Sequence, residues 1–67
     1  MELIDTPNPN AKKIVTEIQD HEIMKSLNST EGVSSVFFGP GFITITKDNN
    51  IDWESITEDI MNIFDKL

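Results

Sequence analysis

Residues Val33 to Lys47 read VSSVFFGPGFITITK, and the way this stretch pairs with itself decides the fold. Phe42-Ile43-Thr44-Ile45-Thr46 alternates with period two, as a strand with one buried face does, and Val36 shares a face with Phe38. Pro40-Gly41 marks a turn between them. An even-numbered loop sets Val36 opposite Ile45 and Phe38 opposite Ile43, which makes one apolar face. A three-residue loop would set the same two against Thr44 and Phe42 and mix polar with apolar, so the pattern selects the even loop. Pro-Gly suits a type II turn, whereas two-residue hairpins prefer the primed types, and a four-residue loop from Gly39 to Phe42 is therefore expected. The opposite sheet face then carries Phe37, Phe42, Thr44 and Thr46. With no further layer over it, the two phenylalanines form an exposed apolar patch of the kind that marks partner surfaces; the structural alternative is that they cover the corner at the start of the chain.

Downstream of the hairpin, Trp53, Ile56, Ile60, Ile63, Phe64 and Leu67 recur at three- and four-residue spacing, a wide apolar stripe on a helix running from about residue 52 to the C-terminus. Asp52 stands at the N-cap position, Glu54 lies near the positive helix end and Lys66 in the last turn. Trp53 reads as a core residue of this stripe. Upstream, Gln19 to Thr30 places Ile23, Met24 and Leu27 on one side, with Asp20 as N-cap and Gly32 as the C-terminal stop.

The chain opens with Glu2-Leu3-Ile4-Asp5 and continues with Lys12 to Ile18, two strands joined by Thr6-Pro7-Asn8-Pro9-Asn10. Each proline fixes its own φ and pushes the preceding residue toward extended geometry, while Thr6, Asn8 and Asn10 are residues that bond neighbouring backbone. A rigid, extended corner follows, and its two side-chain amides are also offered to a partner backbone. The element order is β-β-α-β-β-α. We expect a single α+β domain over residues 1–67, a four-stranded antiparallel sheet with both helices on one face.

Composition narrows the function. Sixty-seven residues with no cysteine cannot be stapled by a disulfide or hold zinc or an iron–sulfur cluster through thiolates. Folding at this size buries only about 60% of the surface that the unfolded chain exposes. Twelve acidic residues against five lysines and no arginine, a formal charge of -7, argue against nucleic acid or an anionic membrane and for a neutral or basic partner. Charged or polar residues interrupt every apolar run, so no segment can span a bilayer. The N-terminus lacks the pattern of a signal or transit peptide, which suggests a cytoplasmic chain or one already processed, an organellar matrix being open only to the latter.

No catalytic constellation emerges. Asp48, Asn50 and Asp52 offer oxygens at the first, third and fifth positions of a calcium loop, with Asp59 at the twelfth. The sixth is Trp53 where the loop needs glycine, and the segment follows a strand. His21 sits between Asp20 and Glu22 with no nucleophile or ligand set in view, and Ser34, Ser35 and Ser55 have no histidine at motif spacing. The expectation is a domain without catalytic, cofactor-binding or metal-binding residues.

Taken together, TPNPNAKKI, EGVSSVFFGPGFITITK and DWESI resemble the N-terminal domain of Nfu-type (NifU-like) iron–sulfur cluster scaffold proteins. Gly32, Val33, Val36 to Gly39, Phe42 to Thr44, Thr46 and Lys47 fit that family's hairpin pattern, and Asp52-Trp53 fits its helix start. The chain departs from the family in a shorter connection after the second strand, in its Gly39-Pro40-Gly41 tip, and in lacking the C-x-x-C of the family's second domain, where the cluster is held. It is therefore read as an excised N-terminal domain or a stand-alone version. The resemblance implies a non-catalytic accessory role in cluster assembly and delivery, with an iron–sulfur scaffold domain or client apo-proteins as partners and a monomeric state. Thr6, Pro7, Asn8, Pro9, Asn10, Phe37 and Phe42 are the candidate contact surface. A general peptide-binding module, for phosphopeptides among others, and a structural domain that dimerises through an open strand edge are the alternatives.

Overall fold

The computed structural model describes residues 2–66. Its elements are β1 (Ile4–Asp5), β2 (Ala11–Val15), α1 (His21–Asn28), β3 (Val33–Gly39), β4 (Phe42–Lys47) and α2 (Trp53–Asp65). Two hairpins lie side by side in a fully antiparallel sheet of order β1-β2-β4-β3, so that β2 and β4 are central and β1 and β3 are the edges. Both helices pack on one face, giving the expected α+β arrangement.

The β3–β4 ladder sets Val36 opposite Ile45 and Phe38 opposite Ile43, the register that alternation selects. Its loop is shorter than expected. Gly39 still pairs with Phe42, leaving only Pro40 and Gly41 in the turn. Gly41 takes a φ of +78°, as the second central residue of a type II turn requires. Contacts from outside the hairpin hold this otherwise disfavoured closure: the Thr16 amide donates to the Gly41 carbonyl at 3.1 Å, and Gln19 Nε2 donates to the Gly39 carbonyl at 3.1 Å. The Phe42 ring lies across Gly39 so closely that a Cβ there would collide with its Cζ.

β1 and β2 are also shorter than the expected strands. Beyond Val15 the chain leaves the sheet to cross the hairpin tip, and the Ile18 amide bonds Thr16 Oγ1 at 3.1 Å rather than joining a ladder. Asp20 caps α1 as expected, its carboxylate accepting from the Glu22 and Ile23 amides. Ser29, not Gly32, is the C-cap of α1. Gly32 has a φ of +94°, and a Cβ on it would meet Ile56 Cγ2 at 2.9 Å, so it serves the close approach of the α1–β3 turn to α2. Asp52 occupies the N-cap of α2 without a side-chain capping bond, and Lys66 is the C-cap rather than a last-turn residue. Leu67 lies outside the described residues.

The core joins Ile14, Ile43 and Ile45 of the sheet to Ile23, Leu27, Ile56, Ile60 and Phe64 of the helices, with Val36 and Phe38 packed against them. Burying each such side chain contributes about 1.5–3 kcal/mol. The four-residue spacing of Ile56, Ile60 and Phe64 is the α2 stripe that the sequence displays.

Candidate functional site

The corner between β1 and β2 is a nest of local hydrogen bonds. Thr6 Oγ1 accepts from the Asn8 amide at 3.2 Å and lies 2.8 Å from the Ala11 carbonyl, to which it can donate. Asn8 Oδ1 accepts from the Asn10 amide at 2.9 Å, and the Ala11 amide closes a β-turn onto the Asn8 carbonyl at 3.0 Å. Pro9 at the second position of that turn supplies the φ it needs. The corner is thus bonded to its own backbone, as residue types lead one to expect, but it is folded back at Asn8–Ala11 instead of extended throughout.

Asn10 faces inward to the β4–α2 connection. Its Nδ2 donates to Asn49 Oδ1, its Oδ1 accepts from Lys47 Nζ at 3.2 Å, and its carbonyl accepts from the Lys47 amide at 2.8 Å. Both amides expected to meet a partner are therefore engaged within the domain, Asn10 through its nitrogen and oxygen and Asn8 through its oxygen. Trp53 completes the link: its indole Nε1 donates to the Pro9 carbonyl at 3.0 Å, across 44 positions of sequence. Lys12 Nζ lies 5.4 Å from the Trp53 ring centroid and pairs with the Asp5 carboxylate at 3.3 Å.

These side chains line an open depression of about 420 Å³ formed by Asp5, Thr6, Pro7, Asn8, Pro9, Ala11, Lys12 and Trp53. Trp53 is half-buried, a member of the helix stripe that also forms the wall of this depression rather than a core residue alone. The sequence reading missed this role because helical periodicity registers one face of α2 and carries no signal of a carbonyl on a distant turn.

Phe37 and Phe42 sit elsewhere. Ala11 pairs with Thr46 at one end of β4 and Val15 with Phe42 at the other, so the corner and the two rings occupy opposite ends of the sheet. Neither ring lines the corner depression, and the alternative in which they cover the corner does not hold. Register places Val15, Phe42 and Phe37 on the face away from the helices. Phe37 and Val15 are 61% and 63% exposed; the Phe37 and Phe42 rings lie 6.1 Å apart, tilted by 45°. Val15 is the member of this patch that sequence reasoning overlooked, although its alternation with the buried Ile14 is the signal that could have found it. Among the described residues, no group of three or more His, Cys, Asp or Glu side chains is placed to hold a metal ion.

Comparison with known proteins places the chain in a family. The family model described as scaffold protein Nfu/NifU N terminal matches residues 16–67, taking in the hairpin and α2 and leaving the corner outside the matched stretch. The Homo sapiens protein named NFU1 iron-sulfur cluster scaffold homolog, mitochondrial, is 40% identical over 84% of this chain and 29% of its own length. A Drosophila grimshawi protein of the same name is 32% identical over 88% of the chain and 26% of its own length. The chain thus spans under a third of the length of these relatives. The crystal structure of protein SAV1430 from Staphylococcus aureus superposes with a TM-score of 0.81 at 26% identity, covering 96% of this chain and 99% of that one. A Staphylococcus epidermidis protein solved by NMR gives 0.68 at 27% identity, over 98% and 94% of the two chains. Sequence and fold agree: the chain belongs to the Nfu/NifU N-terminal family of iron–sulfur cluster scaffold proteins.

Proposed function

We propose that this chain is a non-catalytic docking domain serving iron–sulfur cluster assembly and delivery, one that meets a C-x-x-C scaffold domain or client apo-proteins without holding the cluster itself. The observation that carries this reading is the uncovered apolar patch of Val15, Phe37 and Phe42, in a family domain whose sequence contains no cysteine. A large aromatic side chain such as Phe37 left in water on an otherwise polar, acidic surface, with the half-buried Phe42 ring beside it, is the usual kind of anchor for a protein contact.

The expected contact residues divide by position. Phe37 and Phe42 form one contact area, and the exposed Pro7, Asn8 and Pro9 form a second at the other end of the sheet. Thr6 and Asn10 hold the second area in shape. The domain acts as a monomer in the cytoplasm, or in an organellar matrix when the chain is part of a processed protein; the human and Drosophila relatives carry the word mitochondrial in their names.

Binding of the purified chain to a purified C-x-x-C scaffold domain of the same organism, measured by titration calorimetry, tests the reading. Replacing Phe37 by Ser should weaken that complex about tenfold or more, as loss of an interface anchor does. Equal affinity of the two proteins would remove Phe37 from the contact, and alanine at Asn8 leaving both stability and affinity untouched would remove the corner.

A further inference from the structure

The sheet has two edges, and they are guarded very differently. β1 is two residues long, carries the exposed Asp5 and runs at once into Pro7, features that block a further strand from adding to it. β3 is seven residues long, has β4 as its sheet neighbour on one side only, and contains neither charge nor proline. Its single irregularity is a register shift between Val33 and Ser35, which leaves Val36 to Gly39 regular. The stretch from Gly32 to Thr46 holds no charged residue at all in a chain of net charge -7. Phe37, exposed on this same strand, faces the uncovered side of the sheet.

We propose that the outer edge of β3 is where the partner docks, by adding an extended segment as a fifth strand; this rests on the docking reading given above and specifies how it is achieved. The added strand hydrogen-bonds to those backbone groups between Ser34 and Phe38 that point away from β4, and every second side chain of it lies beside Phe37 on the open face. Charge selects its composition. Glu31, exposed, stands just before β3, and at the far end the Glu17 carboxylate reaches the hairpin tip, 3.5 Å from where a Cβ on Gly41 would be. The cation on the open face, Lys13, lies on β2 with β4 between it and β3. An occupant with apolar side chains at alternate positions and a basic residue at each end complements this edge; an acidic one is repelled.

A second copy of the chain fits less well. A stable complex buries about 800 Å² on each partner, close to a fifth of the 4415 Å² that this small domain exposes. A seam of one short strand with a single exposed aromatic falls short of that, and it would bring together two bodies of charge -7.

The test is a titration of the isotope-labelled chain, followed through its amide resonances, with a peptide of alternating valine and threonine carrying a lysine at each end. Two control peptides accompany it, one N-methylated at alternate amides and one with glutamate in place of the terminal lysines. We expect shifts concentrated at Ser34 to Phe38, with both controls at least about tenfold weaker and with Phe37→Lys, folded by circular dichroism, losing the response. Absence of shifts on β3 or shifts confined to the corner would overturn the proposal, as would equal binding of the N-methylated or glutamate-ended peptide. A free chain that sediments as a dimer with its β3 amides protected would assign the edge to a second copy instead. Failure of the peptide while the scaffold domain still binds through Phe37 refutes the edge and spares the docking reading; failure of both refutes both.

Discussion

The two ends of the sheet solve opposite problems. At the corner, Thr6, Asn8, Asn10, Lys47 and Trp53 direct their polar atoms into the domain's own backbone and side chains. At the hairpin end, Val15 and Phe37 leave apolar surface in water, and the polar contacts there, from Thr16 and Gln19, go to the turn backbone and not to the rings. A motif dense in polar side chains thus has many of those atoms engaged inside the fold, while the apolar patch leaves its surface open. Polarity in a sequence does not by itself say which atoms are already satisfied.

That contrast can be broken in graded steps. Trp53→Ala should have the largest effect, removing half-buried aromatic surface and the bond to Pro9. We expect a loss of about 2–3 kcal/mol, below the range for a fully buried tryptophan, read as a drop of about 10–20 °C in melting temperature. Gly39→Ala comes next, because a Cβ there collides with the Phe42 ring. Displacing the ring should cost about 1–3 kcal/mol and shift the Phe42 ring resonances. Asn10→Ala removes the side-chain bonds to Asn49 and Lys47 and should cost about 1 kcal/mol by denaturant unfolding, since both are partly solvated. Phe37→Ser should change stability by no more than about 0.5 kcal/mol, as surface substitutions do, while weakening partner binding. A Phe37→Ser protein that melts as low as Trp53→Ala would erase the distinction between the two ends.

Much of this was legible in residue order, for identifiable reasons. The register of the β3–β4 hairpin could be read because only one pairing buries Val36, Phe38, Ile43 and Ile45 together. The same alternation placed Phe37 and Phe42 on the other face. Loop length was not legible: local turn preference favours four residues, and the two-residue closure depends on the Phe42 ring over Gly39 and on donors from Thr16 and Gln19, which are tertiary facts. For the same reason the stop of α1 was misplaced at Gly32, whose positive φ serves packing against Ile56. In the candidate site, the turn chemistry of Thr6, Asn8 and Pro9 followed from residue type. The inward direction of Asn10 and its meeting with Asn49 did not, because a side-chain amide looks the same in sequence whether its partner is internal or external. Trp53 shows the limit most plainly, since its helix was evident and its bond to Pro9 spans most of the chain.

The most direct test of the division of labour is one paired measurement on Asn10→Ala and Phe37→Ser: melting temperature of each, and affinity of each for the C-x-x-C scaffold domain well below its melting point. The account predicts a crossed result, with Asn10→Ala losing stability and keeping most of its affinity, because the corner is the lesser contact area, and Phe37→Ser keeping stability and losing most of its affinity. An Asn10→Ala protein of unchanged melting temperature that no longer binds, beside a Phe37→Ser protein that binds normally, would contradict it and make the corner the principal contact.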